Sequence, residues 1–209
     1  MARVNGRLGR PKPYRKRHSG PARFAEHGAA VSWGFPNGAA PPMTHPAALD
    51  PAALADACET RFTRRSGPGG QNRNKVETAV VLTHRPTGVA AEASERRTQG
   101  ENLKAALFRL RLNLALRVRA PVAPGDPPSA LWNSRCHDGR VAINPGHDDF
   151  PALLAEALDR LDALGHDPKA AAGELGCTPS QLVKLLKDEP RAFLLVNDRR
   201  RDLGLRPLL

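Results

Sequence analysis

Polar and apolar positions change their rhythm several times along the chain. Ala47 to Cys58 mixes Ala, Leu and Asp at helical spacing, with Asp50 placed to cap and Pro51 in the first turn, which predicts a short helix. Glu59 to Arg64 alternates in the manner of a strand. Ser66-Gly67-Pro68-Gly69-Gly70-Gln71-Asn72 satisfies every turn rule and predicts a loop. Val76 to Thr83 is rich in β-branched residues and predicts a second strand. Arg85-Pro86-Thr87-Gly88 supplies a turn and Val89 to Ala93 a third strand, so the pair reads as a hairpin. From Thr98 to Val118, Leu103, Leu107, Leu110, Leu114 and Val118 recur at three- and four-residue steps, the pattern of a long amphipathic helix. Its other face would carry Lys104, Arg109, Arg111 and Arg117.

Residues 120–130 are rich in proline and predict a stiff, extended linker. Beyond it the pattern is helical to the end. One helix runs from Asp149-Phe150-Pro151 to Leu164, a short one from Asp167-Pro168 to Leu175, a third from Thr178-Pro179 to Asp188, and a last one from Pro190 to about Leu203. Ala172, Gly176, Leu182 and Leu185 fall at the spacing of a helix-turn-helix, with Ser180, Gln181, Lys184 and Lys187 turned towards a groove. An ordinary helical bundle that turns at Gly176 has the same spacing. No internal repeat is visible. The expected class is α+β: a small domain over 43–119, a linker over 120–130 and an all-α domain over 131–209.

The chain has 209 residues, of which 40% are hydrophobic, with six Phe, two Trp and one Tyr. No apolar run approaches the roughly 20 residues of a membrane-spanning helix, so no membrane partner is expected. Three well-separated cysteines, Cys58, Cys136 and Cys177, argue against a disulfide framework and for a reduced, cytoplasmic setting. Charge is uneven. Residues 1–42 hold eight basic side chains against Glu26 alone, whereas from residue 121 onward acidic residues slightly outnumber basic ones. A basic front suggests nucleic acid, although Arg usage inflated by a G+C-rich genome gives the same count. Residues 1–42 are dense in Gly, Pro and Arg and read as disordered. They fit a basic RNA-binding tail, an organellar targeting peptide, or translation begun upstream of Met43.

The chemistry concentrates in Arg64-Arg65-Ser66-Gly67-Pro68-Gly69-Gly70-Gln71-Asn72-Arg73-Asn74-Lys75. It lacks the Gly-Lys-Ser/Thr ending of a P-loop and the strand–loop–helix spacing of a dinucleotide fingerprint. A plain hairpin loop would explain the glycines but not a Gln between glycines and Asn, flanked by Arg64, Arg65, Arg73 and Lys75. Ser-Gly-Pro-Gly-Gly-Gln-x-x-Asn-Lys resembles the hydrolase loop of class I peptide chain release factors. The likeness continues through Thr83-His84-x-Pro86-Thr87-Gly88 and Glu95-Arg96-x-x-Gln99-x-x-Asn102, and covers residues 58–118.

That resemblance implies hydrolysis of the peptidyl-tRNA ester in the ribosomal peptidyl-transferase centre. Gly69 and Gly70 would permit backbone angles and an approach to RNA that any Cβ forbids. The Gln71 backbone N–H would stabilise charge developing in the transition state, and its side chain would orient the water. Neither protein general base nor cofactor is implied. Arg64, Arg65, Ser66, Arg73, Asn74, Lys75, Arg96, Arg97 and Lys104 are the candidate contacts to large-subunit rRNA and tRNA; as single residues they fit a solvated basic face equally. Full-length relatives also carry a stop-codon-reading domain, for which the stretch between Met43 and the first strand has no room, so the resemblance is to short, codon-independent rescue hydrolases. Those usually end in a basic tail, and here residues 131–209 depart from that pattern. They are the candidate surface for a further nucleic acid or protein. A non-catalytic ribosome-binding protein and a helix-turn-helix DNA-binding regulator are the competing readings. Cys136-His137-Asp138 and His147-Asp148-Asp149 match no zinc spacing, and no metal is expected.

Overall fold

The computed structural model describes residues 44–64 and 77–209. The expectations for residues 1–42 and for the loop at Ser66–Asn72 lie outside the described residues. The helix expected from Ala47 is divided into a 3-10 turn at Pro46–Ala48 and helix α1 at Pro51–Asp56. A residue before proline avoids the helical region, and Asp50 is extended (φ −55°, ψ 140°), which breaks the run. Its carboxylate accepts the Ala52 N–H at 2.8 Å and caps α1 instead.

Strand β1 (Cys58–Thr63) pairs antiparallel with β2 (Ala79–His84), which pairs antiparallel with β3 (Ala90–Ala93), in the order β1-β2-β3. Phe62 stands opposite Val80, and Val80 opposite Ala93. Opposed residues share a face, so Val80, Leu82 and His84 line up with Ala91 and Ala93, and all five are buried. Helix α2 (Gln99–Arg117) packs on β2 and β3. Between β2 and β3 the chain reverses at Gly88, whose φ of +69° suits glycine and whose N–H donates to His84 O at 2.8 Å.

Helix α2 has no single apolar stripe. Asn102, Ala106, Leu110 and Leu114 are fully buried, whereas Leu103 and Leu107 are only half-buried. Arg111, expected on the polar face, is 7% exposed and donates to Ala47 O at 2.8 Å and Asp148 O at 2.6 Å. The reason is a second packing partner: helix α4 (Phe150–Ala163) lies against α2 as well. An amphipathic reading assumes one buried face, and α2 has two.

After α2, residues 118–129 carry no regular element but are bonded to the helices that follow. Ala120 N–H donates to the Asp159 carboxylate at 3.1 Å, and Gly125 N–H to Glu174 at 3.1 Å. The buried Arg160 guanidinium donates to Ala123 O, Asp126 O and the Glu174 carboxylate. This proline-rich stretch is a strap along the bundle. Helix α3 (Ala130–Arg135) and a two-residue hairpin, β4 (Cys136–His137) with β5 (Arg140–Val141), come next, and neither showed in the helical pattern. Helices α5 (Pro168–Glu174), α6 (Pro179–Lys187) and α7 (Pro190–Asp202) follow the expected spans, with Asp167 and Thr178 capping as read. The architecture is α+β: a small antiparallel sheet with one long helix, then an all-helical bundle with a minor hairpin. Buried apolar residues from Ala47 to Val196 form one core, centred on α4 and the fully buried Trp132, whose indole N–H donates to Leu175 O at 2.7 Å.

Candidate functional site

The segment carrying the expected chemistry leaves the sheet after β1 and returns before β2. Thr63 and Ala79 are the last pair of the β1–β2 ladder. Gly69, Gly70, Gln71, Arg65, Ser66, Arg73, Asn74 and Lys75 lie outside the described residues. Both roots of the segment are described, and each is held. Across them, Arg64 Nε stands 3.2 Å from Glu77 Oε1, an exposed pair worth at most about 1 kcal/mol.

The firmer hold comes from the head of α2. Gln99 Nε2 donates to Glu77 O at 2.6 Å. Asn102, with no exposed surface, donates through Nδ2 to Thr78 O at 2.7 Å and Arg96 O at 3.1 Å, and accepts the Arg96 N–H at 2.9 Å. One amide side chain thus joins the returning root to the approach of α2. A buried amide with these bonds satisfied is rigid, and each missing bond would leave a main-chain carbonyl or N–H without a partner. Position 102 faces the root because Thr98 fixes the start of the helix as its N-cap: its hydroxyl accepts the Glu101 N–H at 3.2 Å and donates to the Glu101 carboxylate at 2.8 Å.

Arg64, Arg96 and Arg97 are brought to this same end of the layer, all exposed, with Lys104 exposed further along α2. The Arg96, Arg97 and Lys104 side chains have no carboxylate partner among the described residues, whereas Arg64 has Glu77. Glu95, part of the recognised pattern, takes a bidentate bond from Arg109 (2.6 and 3.1 Å). That guanidinium also reaches Glu92 O at 2.8 Å, and it holds the Glu95 carboxyl below its usual range. Sequence reading placed Arg109 on a solvent face; the acidic residue fourteen positions earlier was its only signal. His84 is buried against Thr87, with Nδ1 2.8 Å from Oγ1, and burial lowers its pKa. The His84–Gly88 motif is therefore a turn lock.

Among the described residues no three His, Cys, Asp or Glu side chains gather to hold a metal ion. Asp149, in one of the acidic clusters, is bonded by Arg135 at 2.6 Å. No described helix is long and apolar enough to cross a membrane. In the bundle, α5 and α6 meet at Gly176 (φ +65°), and Ser180, Lys184 and Lys187 are exposed along α6.

The RF-1 domain family matches residues 53–122, from within α1 to just past α2. Among curated relatives, the chloroplastic peptide chain release factor PrfB1 of Arabidopsis thaliana is 58% identical over 113 residues, 47% of this chain and 25% of its own. Peptide chain release factor 1 of Acidiphilium cryptum is 45% identical over 124 residues, 52% of this chain and 35% of its own. Peptide chain release factor 1 of Xylella fastidiosa is 41% identical over 114 residues, 47% of this chain and 32% of its own. The chain thus spans a quarter to about a third of the length of these relatives. No solved structure gives a significant match.

Proposed function

Starting from residues 53–122 as an RF-1 domain of the class I peptide chain release factor family, we propose that this chain hydrolyses the ester of peptidyl-tRNA in the ribosomal peptidyl-transferase centre. One observation carries the reading: the Gly69-Gly70-Gln71 sequence falls in the segment whose two roots are held by Arg64–Glu77, Gln99 and Asn102. A tip that must deliver a main-chain N–H to a reacting ester needs a fixed base, because a misplacement of about 1 Å can cost a hundredfold in rate. Gly69 and Gly70 supply close approach to RNA, the Gln71 N–H meets the charge developing on the ester carbonyl, and its side chain orients the water. A single such donor in a serine protease is worth roughly 3–4 kcal/mol. Arg64, Arg65, Ser66, Arg73, Asn74, Lys75, Arg96, Arg97 and Lys104 take the phosphates of rRNA and tRNA.

The finer reading is release without a codon, on stalled cytoplasmic ribosomes. It rests on the resemblance to short, codon-independent rescue hydrolases set out above, and the bundle that follows the RF-1 domain and packs on α2 is where this chain departs from them. The test is peptide release from ribosomes stalled on an mRNA with no stop codon in the decoding site. Gly69→Ala and Gly70→Ala should each lower the release rate a hundredfold or more, and Gln71→Ala less, because its N–H survives. Release that is absent, or indifferent to the glycine substitutions, would overturn the hydrolase; release that needs a stop codon would overturn only the codon-independent part.

A further inference from the structure

The cations of the bundle divide into two sets. Arg135, Arg160, Arg191, Arg199 and Arg201 each stand against a carboxylate, and Arg200 donates to two main-chain carbonyls, those of His166 and Arg206. Arg140, Lys169, Lys184, Lys187 and Arg206 are exposed and have no carboxylate partner among the described residues; Lys187 instead lies 5.4 Å from the centre of the Phe193 ring. Arg206 lies beyond α7, whereas the other four lie on the β4–β5 hairpin, α5 and α6, parts of one substructure. In a bundle where acidic residues outnumber basic ones, cations left without a partner on one substructure are the feature to explain.

The substructure is rigidly assembled. Thr178 N–H donates to Gly139 O at 2.9 Å, Gly139 bridges to Cys177, and the Cys136 thiol reaches Gly176 O, so the hairpin is stitched to the turn between α5 and α6. Ser180, Lys184 and Lys187 recur at four- and three-residue steps along one exposed face of α6, while Leu182, Leu185 and Leu186 are buried. The substructure is also fixed relative to the RF-1 domain, through α2–α4 packing, the Arg111 bonds, and Arg191 donating to Asn113 at 2.9 Å.

We propose that the β4–β5 hairpin, α5 and α6 form a second nucleic-acid surface that takes the phosphate backbone of folded RNA without reading its sequence. The side chains select this mode. The face of α6 offers lysines, a serine and the half-buried Gln181, with no exposed aromatic side chain for stacking bases, and the surface's guanidinium, Arg140, stands apart from it on β5. Lysine is a point charge that suits phosphates. The A-form major groove is too narrow for a helix, so phosphates are what α6 can reach on an RNA duplex. The choice of RNA over DNA rests on the ribosomal reading above: a surface fixed to a domain working at the peptidyl-transferase centre meets RNA of the same particle. Asp138 at the hairpin turn and Asp188 at the end of α6 border the face and limit its affinity.

The experiment is fluorescence anisotropy of the full-length chain with a labelled RNA duplex and a DNA duplex of matching sequence, at several salt concentrations. Lys184→Ala with Lys187→Ala should weaken RNA binding about tenfold and reduce the slope of log K against log salt by about two. Arg140→Ala, on a different element, should act in the same direction. Arg199→Ala with Arg201→Ala removes the same charge from cations that already have partners, and should change affinity less than twofold. Equal losses from both pairs, no loss from either, or lysine-dependent binding that is tighter to DNA would each overturn the proposal. Thermal unfolding of each variant separates lost binding from lost fold. No release step enters this measurement, so its failure leaves the hydrolase reading standing, and a chain that binds RNA this way yet releases no peptide sinks that reading alone.

Discussion

Asn102 shows how a single side chain governs the base of the candidate site. It is wholly buried and uses its carbonyl on the Arg96 N–H and its amide on the Thr78 and Arg96 carbonyls. Asn102→Ala should therefore lower stability by about 2 kcal/mol, since buried polar groups lose their partners. Asn102→Asp keeps the acceptor for Arg96 but turns a carboxylate towards two carbonyls, so at pH 8 it should cost more than alanine does. Protonation at pH 5 lets it donate once and should recover part of that difference. Urea unfolding of both variants at the two pH values decides the matter, and an aspartate milder than alanine at pH 8 would show that the amide is not donating. The residues carrying this site were legible in the sequence as types: Gln99 and Asn102 belong to the recognised pattern. Their bonding was not, because their partners are main-chain carbonyls of Glu77, Thr78 and Arg96, which every residue type possesses. Arg111 was misread for the same reason, its two acceptors being carbonyls of Ala47 and Asp148.

At the scale of elements, helix starts in the bundle were legible because capping is local chemistry: Asp167 accepts the Lys169 N–H at 2.9 Å and Thr178 accepts the Gln181 N–H at 3.3 Å. The β4–β5 hairpin was missed, since strands of two residues have no period to detect and the Asp138-Gly139 dipeptide was its one signal. Its turn is nonetheless constrained. Asp138 (φ +50°) and Gly139 (φ +73°) both take left-handed backbone, as a type I′ turn requires. A Cβ at Gly139 would also lie 3.3 Å from Thr178 Cγ2, the side chain that caps α6, whereas a Cβ at Gly176 (φ +65°) would meet nothing within 4 Å. Backbone strain alone costs about 1 kcal/mol at either position. Gly139→Ala should therefore exceed Gly176→Ala, by roughly a further 1 kcal/mol if Thr178 has to shift. Thermal unfolding of the two variants side by side tests this ordering. Equal losses would mean that the hairpin yields without disturbing the cap.

The two halves of the molecule meet where the strap leaves α2, and the charges there make stability depend on pH in two opposed ways. His45, beside Val118 O at 3.2 Å and accepting the Ala47 N–H, is buried, and burial lowers its pKa from 6.5 to about 4. Asp159, 3% exposed, has its pKa raised by burial from 3.8 to about 7, even though Arg119 and the Ala120 N–H favour its charged form. For His45 the folded chain binds the proton less tightly than the unfolded one, so its contribution is whole above pH 6.5 and lost as pH falls towards 4. For Asp159 the folded chain binds the proton more tightly, so its contribution is whole below pH 3.8 and lost as pH rises through 7. Such packing could not be foreseen from periodicity, because a pattern of apolar positions does not say which helix covers which. The strap in particular, expected as a stiff, extended linker, is bonded to the helices by Asp159, Arg160 and Glu174. Asp159→Asn keeps an oxygen to accept the Ala120 N–H and removes the buried charge. At pH 8 it should be more stable than the parent by a few kcal/mol, since every tenfold difference in proton affinity between the folded and unfolded chains is worth about 1.4 kcal/mol. At pH 4 the two should lie within about 1 kcal/mol of each other. Urea midpoints at pH 4, 6 and 8 read both limits, and a variant that gains nothing at pH 8 would mean that Arg119 already compensates the Asp159 carboxylate in the folded chain.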